Sequence, residues 1–276
     1  QEGLIIPPVK FVKAGAVDPE LALLLRSNVR TPDVQMGDLR AQIAANNTGI
    51  RRVVELVEKY SAETLYAAMG EIMDYSERRM RAAIGEMPRG EYEASDYMED
   101  VPGIGLAEIR VKVTVEGDGV TFDYAGTCPQ VEAPINAPLG VTIAGIYYTL
   151  ITVPDPTIPV NDGCFRPITL QIPEGTMINP RRPAPVAGGN VETSQRNVDV
   201  LMKAFAEIVP SRVPAAGLGT MSNVSVGGTR LDGTPWTFYE TIGGGSGARP
   251  HGDGVDGVHV NMTNTMNTPI ESLEAY

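Results

Sequence analysis

The residues best able to do chemistry cluster in the stretch PAPVAGGNVETSQRNVDVLMKAF, residues 183–205. Asn190, Glu192, Thr193, Ser194 and Gln195 crowd the start of an amphipathic helix that is reached through Gly188-Gly189. From Ser194 an apolar stripe at spacings of three and four runs through Val198, Leu201, Met202, Phe205, Ile208 and Val209, so that face must meet a core. Asp199, Lys203 and Glu207 follow at spacings of four on the opposite face, expected to be wet. Ser194 and Gln195 then sit on the buried side, where free N–H groups and the positive end of the helix dipole favour polar or anionic ligands. Helix capping needs one such residue; five within six positions predict the wall of a polar pocket.

A second polar run, HVNMTNTMNTPIESLE, places His259, Asn261, Asn264, Thr265 and Asn267 together without a helix or strand period. Caps and turns use such residues, and so does a site that holds a small polar substrate by hydrogen bonds. The stretch GGGSGARPHGDGVDG around Arg249 lacks the Gly-Lys-Ser/Thr of a phosphate loop and the strand-to-helix setting of a dinucleotide fingerprint. Its glycines read as turn formers. Asp253 and Asp256 do not follow the calcium-loop series. The two histidines, His251 and His259, and the two cysteines, Cys128 and Cys164, have no zinc spacing, so no metal ligand is assigned to this chain. No G-x-S-x-G elbow accompanies Ser194.

Composition narrows the function classes. The chain has 276 residues, 42% hydrophobic and 20% charged, enough for one or two globular domains. A net charge of −12 speaks against nucleic acid and anionic membrane as partners, since both reward clustered Lys and Arg. Two cysteines are too few for a disulfide framework and suit a cytoplasmic setting. The longest apolar run, LGVTIAGIYYTLITV, is too short and too interrupted to span a bilayer. The chain starts without Met and stops at NTPIESLEAY, which reads as part of something longer.

The elements that must position these residues fall into two regions, 1–88 and 89–276. The first is a lead-in with a short helix near PELALLLRSN, then helices from about Asp38 to Lys59 and from about Ser61 onward. Leu39, Ile43, Ile50, Val53 and Val57 stripe the first long helix, with Asn46 inside the stripe. Leu65, Met69, Ile72, Met80, Ala83 and Met87 stripe the second, which Ser61 can cap. A connection of two or three residues makes the pair an expected antiparallel helical hairpin. After Gly90, Ile109, Val111, Val113 and Val115 alternate with polar residues as a half-buried strand. Asp118-Gly119 suits a tight turn into Val120, Phe122 and Tyr124. A helix near 138–152, strands at ITLQIP, NVSVGG and WTFYETI, and a glycine-containing, loop-rich final third complete an α+β fold with mainly antiparallel strands.

Six blocks together resemble one family: GDLRAQIAANNTGIRRVVEL, DYAGTCPQVEAPINAP, NDGCFRPITLQIPEGTMINP, GGNVETSQRNVDVLMKAF, GGGSGAR and MTNTMNTPIESLE. They resemble hydantoinase B, the group that takes in B subunits of N-methylhydantoinase-type enzymes, the matching half of 5-oxoprolinase, and subunits of acetone and acetophenone carboxylases. The likeness runs end to end with the blocks in family order. It implies a hetero-oligomer in which a hydantoinase A-type ATPase subunit carries ATP and Mg, and phosphorylates the oxygen of a small cyclic amide for hydrolytic opening. It also implies a metal ion held by an upstream part of the subunit outside this chain. Glu192, Ser194 and His259 are then expected to act in catalysis, with Asn190, Gln195, Asn264 and Arg249 as substrate contacts, an inference from position. VHVNM departs from the family in having Asn261 where relatives carry a second His. The resemblance leaves open a B-type subunit of a ketone carboxylase, or a non-catalytic assembly module.

Overall fold

The structure, a computed structural model, describes residues 5–263 and residue 265, so the expected contact Asn264 lies outside the described residues. The chain forms two compact units. One takes the residues up to Gly70 with Val224–Glu240; the other takes Glu71–Asn223 and the chain from Thr241 onward.

In the first unit, a two-residue ribbon of β1 (Val12–Lys13) and β2 (Ala16–Val17) leads into helix α1 (Pro19–Ser27). Asp18 caps α1 by accepting from the N–H groups of Glu20 and Leu21, both at 3.1 Å. Helix α2 (Pro32–Tyr60) begins six residues before the expected start at Asp38, because Pro32 and Asp33 already supply the residues that open a helix. Lead-in, α1 and α2 enclose a cavity of about 530 Å³ lined by Phe11, Leu21, Leu25, Leu39, Ile43 and Asn46. The polar Asn46 in the apolar stripe thus faces this cavity.

Helix α3 (Ala62–Gly85) follows after Ser61 alone, whose Oγ accepts from the Thr64 N–H at 3.2 Å. Within the first unit α2 lies against α1, and Ile50 and Val53 are 63% and 47% exposed. The second half of α3 buries Ser76, Met80 and Ile84.

The second unit is built on a sheet of four strands in the order β3 (Gly90–Val101), β4 (Gly105–Glu116), β5 (Gly119–Asp123) and β6 (Ile168–Gln171). The first three are antiparallel, and β6 runs parallel to β5. Glu116 pairs with Gly119, so the turn is Gly117-Asp118, one residue before the expected pair. Matching the inward residues Val115 and Val120 sets that register, and Gly117 alone adopts positive φ, as a type II′ turn requires.

Between β5 and β6 comes helix α4 (Leu139–Thr152), and after β6 a π turn (Gly189–Thr193) runs directly into helix α5 (Ser194–Ile208). The chain then forms a ribbon of β7 (Ser222–Thr229) and β8 (Pro235–Ile242). Helix α5 packs on β3 and β4 and also against α4. Ile109, Val111, Val113, Phe122, Ile146, Leu150, Leu201 and Phe205 are fully buried in this core, with the Phe122 and Phe205 rings 6.4 Å apart. Covered on two sides, α5 must satisfy its inner polar groups internally. The Tyr124 hydroxyl donates to Asn197 Oδ1 at 2.7 Å, and Asn197 Nδ2 donates to the Thr142 carbonyl at 3.2 Å. Burial raises the Tyr124 pKa well above the ordinary phenol value. The fold is α+β, mixed helices and open sheets. Among the described residues no helix is long and apolar enough to cross a membrane.

Candidate functional site

The polar stretch before α5 is helical already. The Ser194 N–H donates to the Gly189 carbonyl within the π turn, so the helical stretch begins five residues earlier than the sequence suggests, and the N–H groups of Gly188, Gly189, Val191 and Glu192 all donate to backbone carbonyls there. A side chain at Gly189 would collide with the Asn136 carbonyl, so only glycine brings the turn this close. Thr193 Oγ1 donates to the Ile135 carbonyl and Ser194 Oγ to the Asn190 carbonyl, the latter at 2.6 Å. Gln195 ties the two polar stretches together. Its Nε2 donates to the Val260 carbonyl at 3.2 Å and to Thr263 Oγ1 at 2.5 Å.

The remaining expected residues are more scattered. Glu192 accepts from the Thr220 hydroxyl at 2.5 Å. Asn190 is exposed, and Arg249 is exposed in a tight turn with Gly252. His259 is half-buried, with Nε2 enclosed and without a partner among the described residues. Among the described residues, no hydrogen bond joins Arg249 or His259 to the start of α5.

The structure brings together a different set one turn along. Asp199, expected on the wet face, is instead half-buried in a cavity of about 360 Å³ with Asp96, Arg196, Lys203, Ser246 and Asn261. The α5 face is covered there by residues 213–219, which follow α5 closely in the chain, and by the distant Asn261. Asn261 Nδ2 donates to Asp199 Oδ1 at 2.9 Å, and Arg196 Nη1 donates to Asp96 Oδ2 at 3.1 Å. Burial raises the Asp199 pKa to about 6; the Asp96 charge adds to the rise, while Arg196 and the Asn261 hydrogen bond oppose it. Arg196 Nε is enclosed and has no partner among the described residues. A second cavity, of about 460 Å³, shares Arg196, Leu218 and Gly219 with the first and is lined by Glu192 and Thr220.

Two backbone features shape this cleft. Asn261 holds a φ of +52°, a strained position that Asn tolerates better than most residues. Gly219, at φ +78°, leaves open the space facing both the Asp199 carboxylate and the Arg196 guanidinium. A carboxyl titrating near neutrality beside a guanidinium can exchange a proton and bind a developing negative charge. Spacing gave one clue: Arg196, Asp199 and Lys203 form a charged stripe at helical intervals. Asp96, about one hundred residues earlier on β3, carried no such signal. Among the described residues no three His, Cys, Asp or Glu side chains converge as metal ligands. The metal that the resemblance implies is expected in a part of the subunit outside this chain.

Comparison with known proteins agrees along the whole chain. The Hydantoinase B/oxoprolinase family matches residues 1–276. The chain is 48% identical to an uncharacterized protein of Methanocaldococcus jannaschii, over 99% of this chain and 47% of that protein. It is 38% identical to the putative D-/L-hydantoinase B chain of Pseudomonas sp. (strain NS671), over 100% of this chain and 48% of that one. Among solved structures it is similar to the ATP-dependent caprolactamase from Pseudomonas jessenii, with a TM-score of 0.87 and 30% identity over 99% of this chain and 48% of that chain. Its likeness to acetone carboxylase in the nucleotide-free state, TM-score 0.84 at 18% identity over 97% of this chain and 38% of that one, is one of fold alone. The chain spans about half the length of these first relatives. The six sequence blocks, the α+β fold and a match that leaves no residue out converge on one statement: the chain belongs to the hydantoinase B/oxoprolinase family.

Proposed function

We propose that this chain is the substrate-holding part of a hydantoinase B-type component that opens a cyclic amide in an ATP-dependent reaction. The observation that carries the reading is the likeness, over 99% of the chain, to a protein described as an ATP-dependent caprolactamase. In this reading ATP and Mg sit on a hydantoinase A-type subunit, which phosphorylates the amide oxygen. An amide so activated is a strong electrophile, and the tasks left to this chain are to hold the ring, admit the one water that attacks the amide carbon as phosphate leaves, and move the proton from that water to the departing ring nitrogen. The Asp199–Arg196 cleft has the groups for those tasks. Glu192 serves from the adjoining cavity, while Ser194 and Gln195 hold the helix start and the Asn261 segment in place. A near-neutral carboxyl enclosed with a guanidinium is costly to maintain and favours catalysis over a purely assembling role. The carboxylase alternative rests on a likeness of fold.

The test is to produce the whole B-type component with its A-type partner and measure ATP hydrolysis with hydantoin, 5-oxoproline and caprolactam, following the ring-opened acid by mass spectrometry. Lactam-dependent ATP consumption with stoichiometric ring opening is expected. ATP consumption that needs a ketone and bicarbonate, or ring opening that persists without the B-type component, would overturn the reading.

A further inference from the structure

Small rings force their amide into the cis form. The N–H and the C=O then point side by side to the same edge, one donor beside one acceptor. Open-chain amides hold the two on opposite sides, and turning them to cis costs about 2.5–4 kcal/mol. A protein group that offers one acceptor next to one donor is therefore a reader of ring amides.

The cleft offers that pair. Asn261 occupies Oδ1 of Asp199, and among the described residues no donor reaches Oδ2. Asp96 occupies Nη1 of Arg196, and no acceptor among the described residues reaches Nη2. A carbon placed where a Gly219 side chain would start lies 3.4 Å from Asp199 Oδ2, and 3.8 and 3.9 Å from Arg196 Nη2 and Nη1. The unoccupied acceptor and the unoccupied donor thus both lie on the Gly219 side of one cavity, where a side chain at Gly219 would crowd them. The remaining cation of the cavity, Lys203, directs its Nζ to the Ser95 carbonyl at 2.9 Å. The cavity volume of about 360 Å³ suits a small ring.

We infer that this cleft reads the cis N–H/C=O edge of an unsubstituted ring amide, with Asp199 Oδ2 accepting the ring N–H and Arg196 donating to the carbonyl oxygen. The inference rests on the cyclic-amide reading above and narrows it to rings that carry a free N–H. Asp96 and Asn261 are positioning residues, each holding one end of the pair so that the other end faces the ligand. Ring opening destroys the edge, so the product loses both contacts together and leaves.

The experiment uses the whole B-type component in complex with its partner. Caprolactam and N-methylcaprolactam are compared, first by calorimetric binding without ATP and then by KM for lactam-dependent ATP hydrolysis. In the native protein, N-methylation should weaken binding at least tenfold. Asp199→Ala should weaken caprolactam to the level of the N-methyl compound and abolish the difference between them, while Glu207→Ala, on the exposed face of α5, leaves the difference intact. Binding of caprolactam should also fall as the pH drops through about 6, since protonated Asp199 no longer presents a free anionic acceptor. Equal binding of the two lactams by the native protein overturns the inference, and this comparison decides the matter even if a variant fails to fold. Unaltered discrimination in a folded Asp199→Ala variant overturns it as well. Discriminating binding without ATP-dependent ring opening leaves the edge reading standing and removes the proposed function. Ring opening that ignores N-methylation does the reverse, and binding of neither lactam removes both.

Discussion

Replacing Asp199 with Asn should make the protein more stable and less active. The Asp199 carboxyl has its pKa raised from the ordinary 3.8 to about 6, chiefly by burial. The native state therefore holds this proton more tightly than the unfolded state. Below about pH 4 the group is protonated in both states and costs nothing. As the pH rises from about 4 to about 6 the unfolded chain releases the proton first, so stability falls; above about 6 the loss is complete and constant. At about 1.36 kcal/mol per pH unit, the rise amounts to about 3 kcal/mol. Asn has the same shape, keeps an oxygen for the Asn261 amide at Oδ1, and carries no charge to desolvate. The variant should melt roughly 6–12 °C higher at pH 7.5, with nearly no difference at pH 4, while the proton acceptor of the cleft is lost. Circular dichroism melting at the two pH values, beside turnover of the assembled enzyme, reads both effects. A lower melting point at pH 7.5, or the same gap at both pH values, would refute the argument and make Asp199 a structural partner of Arg196. Stability gained with activity lost is the usual mark of a group kept for function.

Tyr124→Phe should cost about 1–3 kcal/mol in urea denaturation, because it leaves Asn197 Oδ1 buried without its donor. Gln195→Ala strands the Val260 carbonyl and loosens the segment bearing Asn261; a similar loss of stability should come with a several-fold lower turnover, which Asn261→Ala should reproduce. Gly189→Ala drives a methyl into the Asn136 carbonyl and should cost about 3 kcal/mol or prevent soluble expression. Gly219→Ala crowds Asp199 and Arg196 and also strains the backbone at φ +78°, so it should raise KM for any cleft ligand and lower the melting point together.

Much of the fold was legible because its signals are local. The alternation of Ile109 to Val115 with the return at Val120 and Phe122 predicted a β-hairpin, and it forms between β4 and β5. The α5 stripe pointed to the core, and Val198, Leu201, Phe205 and Ile208 are buried there. The turn was misplaced by one residue, since register depends on which inward side chains meet across the strands.

The site was legible only in part. Polar residues before α5 stood out by density, yet Ser194 bonds to its own helix and Gln195 to the loop at Val260 and Thr263. Asp199 was placed in water because helical spacing describes one helix in isolation, and it could not show that residues 213–219 and Asn261 return to cover that face. What the sequence by itself determined was the family, the strand and helix periods, and the lack of a phosphate loop, since each depends on neighbouring residues and on side-chain type. Only the tertiary structure decided that Asp96, Arg196, Asp199, Gly219 and Asn261 share one cleft and that the Asp199 carboxyl titrates near neutrality. Desolvation and the fields of neighbouring charges arise from groups brought close in space, and chain spacing does not encode them.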